Sequence, residues 1–252
     1  MSQYYNANRS TKYCYQPGFK QPFKFSRSKI DLFLQCPKCF YMDRRLGVAR
    51  PPGFPFALNS AVDKLLKLEF DAHRANGTQH PLIEKYDVDA KPVAHEKLDD
   101  WRQNFVGVQY LHKPTNLLVF GAIDDLWINS KGEYIVVDYK STSKMEEITE
   151  LDKDWQDGYK RQMEIYQWLL RHNEYKVSDT GYFVYCNGIT DKKAFDAKLE
   201  FDVTLIAYEG NDSWVEKAIK DAHKCLNGDS IPEAGEDCDY CAYREAVKEI
   251  EH

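Results

Sequence analysis

The chain has 252 residues, and 43% of them are hydrophobic. That is enough for a sizeable core in one moderately large domain, or a domain with a small appendage. A net charge of −6 argues against a broad basic surface that coats duplex nucleic acid, though not against a local basic groove. No run of about 18 apolar residues is present, so no membrane span is expected. The opening MSQYYNANRSTKYCYQ has no apolar signal core, so an intracellular, cytoplasmic protein is expected. Seven cysteines are an odd number, which does not suit a disulfide framework.

Residues 1–24 carry Pro17, Gly18 and Pro22 and read as an irregular arm. From Phe25, a helix capped by Ser26 or Ser28, with Ile30, Phe33 and Leu34 on one face, ends near Cys36 because Pro37 follows. RPPGFPF (50–56) reads as a rigid connector. Residues 58–74 form an amphipathic helix with Val62, Leu65, Leu66 and Phe70 at helical spacing, ended by Asn76-Gly77. Asp63 sits beside that stripe, one turn before Lys67. It is either a surface partner of Lys67 or a third carboxylate for a metal. Residues 76–100 read as a loop with a short helix, and Phe105–Leu111 as a strand.

Leu117–Ile128 and Tyr134–Tyr139 are apolar, strand-like runs around Ser130-Lys131-Gly132, a three-residue hairpin loop with its Gly left-handed. This loop sets Asn129 opposite Glu133, Ile128 opposite Tyr134, Leu126 opposite Val136 and Asp124 opposite Asp138. Alternation then puts Asp124, Asp138 and Lys140 on one face and turns Asp125 to the other with Ile123 and Trp127. Opposed carboxylates at the end of an otherwise apolar row need a cation between them. A divalent metal on Asp124 and Asp138, beside Lys140, satisfies that need. The bland reading is a solvated hairpin.

Residues 141–154 read as a loop and 154–172 as a second strong helix. Trp155, Tyr159, Gln162, Tyr166 and Leu169 share one face of it, with Gln162 and Tyr166 one turn apart. A buried strand at 180–187, another strand within 195–208, and a helix from Asp212-Ser213 to Cys225 follow. His223 reads as a surface or edge residue. Cys36/Cys39 and Cys238/Cys241 form two Cys-x-x-Cys pairs far apart in the chain. A closed structural site needs four ligands, so the two pairs are expected to meet around zinc or an iron–sulfur cluster. Cys14, Cys186 and Cys225 lack a partner at ligand spacing, and Cys186 should be buried in its strand. The element order predicts an α/β (α+β) protein with a central mixed sheet flanked by helices.

Gly121-x-x-Asp124, Asp138-Tyr139-Lys140 and Gln162-x-x-x-Tyr166, on these elements and in this order, resemble the PD-(D/E)XK nuclease superfamily. The likeness is to its RecB-type branch, which includes CRISPR-adaptation nucleases and helicase-associated exonucleases. SRSKIDLFLQCPKCFY is similar to that branch's N-terminal stretch. The resemblance implies a restriction-endonuclease-like core over 58–210, preceded by the arm (1–24) and the first Cys segment (25–57). A Cys-rich C-terminal segment (211–252) follows, making a junction of the two terminal segments.

It also implies Mg²⁺ or Mn²⁺ on Asp124, Asp138 and the Tyr139 carbonyl, helped by Asp63 where the branch often has His. Lys140 would orient the attacking water, and Gln162 and Tyr166 would position metal-site groups and DNA. The implied activity is hydrolysis of DNA phosphodiester bonds, at single strands or ends, by a metal-activated water. A helicase or CRISPR-adaptation-type protein would be the partner. The branch's iron–sulfur members split their cysteines one and three, whereas this chain splits them two and two. The alternative is a catalytically silent module of the same fold that binds nucleic acid or a protein.

Overall fold

A computed structural model describes residues 11–53, 57–146 and 148–251. The first ten residues of the expected arm and the last three of the connector lie outside the described residues. The elements are β1 (Phe23–Ser26), α1 (Arg27–Gln35), α2 (Pro37–Arg44), α3 (Ala57–Asn76), α4 (Pro81–Lys85), β2 (Lys91–Pro92), α5 (Leu98–Trp101), β3 (Val108–His112), β4 (Leu117–Gly121), β5 (Asp125–Ile128), β6 (Tyr134–Thr142), α6 (Asp157–His172), β7 (Thr180–Gly188), β8 (Phe201–Glu209), α7 (Val215–Leu226) and α8 (Asp239–Glu251). They make a mixed α/β fold with two mixed sheets flanked by helices, consistent with a restriction-endonuclease-like fold. No helix of the described residues is long and apolar enough to cross a membrane.

The chain divides into two compact units. One takes the described residues of Met1–Phe54, Leu111–Phe120 and Ser213–His252. In it β1 runs parallel to β4, with Phe23 opposite Leu117 and Ser26 opposite Phe120; β3 is the third strand of that sheet. Pro37 ends α1 and also opens α2 at its first turn, where a missing N–H costs nothing. Sequence reading found the stop but not this second helix.

The other unit takes Pro55–Tyr110 and Gly121–Asp212. Its sheet order is β2-β5-β6-β7-β8. Among its described strands only β6 and β7 pair in parallel, which requires a crossover, and α6 supplies it. The β5–β6 hairpin has the expected register, with Leu126 opposite Val136 and Ile128 opposite Tyr134. Asn129 N–H donates to the Glu133 carbonyl at 3.1 Å, and Gly132 has φ +71°. On one face of the sheet α3 packs through Phe70, whose ring stacks at 5.4 Å on Trp127 and lies 5.7 Å from Tyr139. On the other face α6 lies over β6 with Met163, Ile165, Tyr166 and Leu169 buried.

Leu34, expected on the apolar face of α1, is 40% exposed, and Phe105, expected to open a strand, lies in a turn before β3 and is 82% exposed. Two further expectations need correcting. Leu117–Ile128 is not one strand: the chain leaves β4 after Gly121 and enters a different sheet at Asp125. Gly107 (φ +64°) abuts that break, where a Cβ would stand 2.5 Å from the Gly121 carbonyl oxygen. Leu65, expected on the core stripe of α3, is 64% exposed. The sheet covers a narrow strip of the helix, centred on Phe70 and flanked by Val62 and Leu66.

Candidate active site

The edge of the second sheet at the start of β5 and the middle of β6 gathers the expected polar residues. Asp124 ends the irregular link into β5, and its Oδ2 accepts the Tyr139 N–H at 2.8 Å. That bond ties Asp124 to β6 beside Asp138. Asp138 is fully buried. Its Oδ1 accepts from Gln162 Nε2 at 2.7 Å, and the Lys140 ammonium forms an ion pair with its carboxylate. Lys140 also donates to Gln162 Oε1 at 3.3 Å and lies 4.4 Å from the centre of the Tyr159 ring. Gln162 donates to the Tyr166 hydroxyl at 3.0 Å. The one-turn spacing of Gln162 and Tyr166 on α6 therefore delivers both to the Asp138 face.

Asp63 comes from α3, and Lys67 donates to its carboxylate at 2.9 Å. The same ammonium is 3.7 Å from Asp124 Oδ1. Lys67 thus stands between Asp63 and Asp124. A cleft of about 910 Å³ opens here, with Asp63, Lys67, Arg102, Asp124, Lys140 and Tyr159 in its walls. Acidic oxygens interleaved with ammonium groups can hold a hard divalent cation and a phosphate side by side. The donor set is all oxygen, which fits Mg²⁺ or Mn²⁺ and not a soft metal.

Asp125, one residue on, has another task. It is fully buried on the α3 face. It accepts from Arg102 Nη2 at 2.7 Å, Trp127 Nε1 at 3.1 Å and the Tyr139 hydroxyl at 2.9 Å, and it pairs with Arg74. Arg102 grips both oxygens of Asp71 at 3.0 and 2.9 Å, and its Nε donates to the Asp124 carbonyl at 3.0 Å. Burial, reinforced by the Asp125 charge, pushes the Tyr139 phenol well up. Burial pulls the Arg102 guanidinium down, but Asp71 and Asp125 outweigh it and raise it. Sequence reading placed Asp125 on the far face but did not find Arg74 or Arg102. Neither lies at a spacing that points to the hairpin.

In the first unit, Cys36 and Cys39 at the start of α2 meet Cys238 and Cys241 around the start of α8. All four sulfurs lie within 4.8 Å of one another, a group that could bind a metal. The backbone N–H groups of Gly235 and Cys39 donate to Cys36 Sγ at 3.3 and 3.4 Å. Against burial, they lower the Cys36 thiol to about 6. Cys186 is buried in β7, and burial pushes its thiol up to about 11.

A family profile of the PD-(D/E)XK nuclease superfamily matches residues 58–246, and the chain belongs to that superfamily. No curated protein matches the sequence. Among solved structures, the crystal structure of SSO0001 is similar with a TM-score of 0.39 and 14% identity, over 90% of this chain and 86% of that chain.

Proposed function

We propose that the chain is a Mg²⁺- or Mn²⁺-dependent deoxyribonuclease of the RecB-type branch, acting on single strands or ends. The reading rests on one observation: Lys140, Asp138, Gln162 and Tyr166 form a continuous chain of side-chain contacts, Asp124 is tied beside it through the Tyr139 N–H, and Asp124 and Lys140 line the wall of an open cleft. Asp124, Asp138 and the Tyr139 carbonyl would hold the metal, with Asp63 reaching it directly or through water. Once bound, the metal acidifies water and offsets charge on the scissile phosphate.

Lys140 orients the attacking water and contacts a phosphate oxygen. Gln162 keeps the Lys140 ammonium and the Asp138 carboxylate in register, and Tyr166 fixes the rotamer of Gln162. Lys67 balances Asp63 and Asp124 until substrate and metal arrive, then serves a neighbouring phosphate.

Single strands are favoured by an aromatic surface at the cleft. Tyr159 lines the cleft. Trp155, 55% exposed, meets it edge-on at 5.7 Å, and unpaired bases stack on such rings. A helicase or CRISPR-adaptation-type protein is the proposed partner and the cytoplasm the proposed compartment, both following from the branch.

The test is cleavage of end-labelled single- and double-stranded DNA and RNA with Mg²⁺ or Mn²⁺, with Asp138→Ala as control. Metal-dependent cleavage of single-stranded DNA, reduced about 10²-fold or more in the variant, is expected. Tight binding without cleavage by the unaltered protein would instead identify a silent binding module.

A further inference from the structure

The four sulfurs carry information in their spacing. Cys39 Sγ lies 3.6 Å from Cys238 Sγ and 3.7 Å from Cys241 Sγ, and Cys36 Sγ lies 3.8 Å from Cys241 Sγ. A tetrahedral zinc ion with thiolates at about 2.3 Å requires sulfur–sulfur edges of about 3.8 Å. The observed edges sit at that value. A cubane cluster holds each thiolate on a different iron, so the body of the cluster separates the sulfurs. Four sulfurs all within 4.8 Å leave no room for four irons and four sulfides between them. The [4Fe-4S] alternative for these four thiolates therefore does not fit them.

The surroundings offset the net negative charge that four thiolates leave on a divalent ion. Arg50 donates from Nη2 to Cys238 Sγ at 3.2 Å and lies 4.7 Å from the centre of the Tyr240 ring. Its Nη1 donates to Gln35 Oε1 at 3.2 Å, which anchors the guanidinium. Gly235 turns its N–H onto Cys36 Sγ at 3.3 Å. A Cβ there would clash with the Gln35 carbonyl oxygen and crowd the Cys36 Cα, so a larger residue would block this approach.

We propose that Cys36, Cys39, Cys238 and Cys241 form a closed mononuclear zinc site, with Arg50 as its charge partner. Zinc has no redox chemistry, so the site staples α2 to the start of α8 and does not make the protein sensitive to oxidation of a cluster. This inference rests on the sulfur geometry and stands or falls apart from the nuclease reading.

The experiment is elemental and labile-sulfide analysis of the full chain, purified anaerobically from iron-supplied cells. One zinc per chain, no sulfide and no brown chromophore are expected. Zinc can be misloaded into a cluster site, so the zinc-stripped protein is also offered iron and sulfide anaerobically. Failure to assemble a chromophore is expected, whereas Co²⁺ should give the strong visible bands of a tetrahedral thiolate site. Iron in place of zinc, with or without sulfide, a reconstituted cluster, or no bound metal would each overturn the proposal. Arg50→Ala should release zinc to a chelator about tenfold faster, and an unchanged rate would remove Arg50 from it.

Discussion

Asp124 and Asp125 are neighbours in the chain with opposite surroundings. Asp124 lines the cleft and holds the Tyr139 N–H, while Asp125 is sealed behind it between two guanidinium groups. Substitutions should separate their effects. Asp125→Ala strands Arg74 and Arg102 without their buried partner and should cost about 3–5 kcal/mol, read by urea unfolding. Asp124→Asn keeps an acceptor for the Tyr139 N–H. It should leave stability within about 1 kcal/mol while abolishing metal-dependent cleavage in the proposed mechanism. Equal stability losses in both variants would contradict this division. Trp155→Ala should weaken binding of single-stranded DNA about tenfold with little effect on duplex, measured by fluorescence anisotropy.

At the scale of elements, two short segments bear on the packing around β5 and α3. Gly107 lets the chain pass against Gly121 just before Asp124. Gly107→Ala meets both a left-handed backbone (φ +64°) and the Gly121 carbonyl. It should cost at least about 1 kcal/mol and lower cleavage with it, checked by melting and assay together. The second segment is the start of α4, capped by His80. Nδ1 of His80 accepts the Leu82 N–H at 3.0 Å, Nε2 faces Glu69 at 2.9 Å, and the ring stacks on Phe70 at 4.1 Å. Burial lowers this imidazole below its ordinary value, against the pull of Glu69. The neutral ring is therefore the form that fits the fold. Its contribution is whole above the unfolded value of about 6.5 and is lost as pH falls through the folded one. Unfolding free energy should drop between pH 7.5 and 5.5, and less in His80→Gln. An equal drop in both proteins would assign the effect elsewhere.

For the whole molecule, the first unit is assembled from three separated stretches of sequence. Within it His112 meets Glu216 at 2.9 Å, and the Tyr41 hydroxyl donates to the Gly228 carbonyl at 2.9 Å. Its contacts join residues more than one hundred positions apart. A chain ending at Asp212 should therefore lose the order of residues 11–53 as well as its tail. Limited proteolysis would show this as rapid cleavage around α1 and α2. Persistent protection of those helices would mean that the first segment folds without the tail.

The candidate site was legible in the sequence to the extent that local rules determine it. The Ser130–Gly132 loop fixes the hairpin register. Alternation along β6 then puts Asp138 and Lys140 on one face and Tyr139 on the other, and 3.6-residue periodicity aligns Gln162 with Tyr166. Each of these depends on neighbours a few residues away. The break after Gly121, the exposure of Leu65 and the Arg74–Asp125–Arg102 cluster depend on which segments pack together, and no local period encodes that. The cysteine spacing determined that four ligands were available. Only the tertiary structure brought their sulfurs to 3.6–3.8 Å, because the distance between two Cys-x-x-Cys pairs is set by the packing of α2 against the chain around Gly235 and α8, not by the separation of the pairs in sequence.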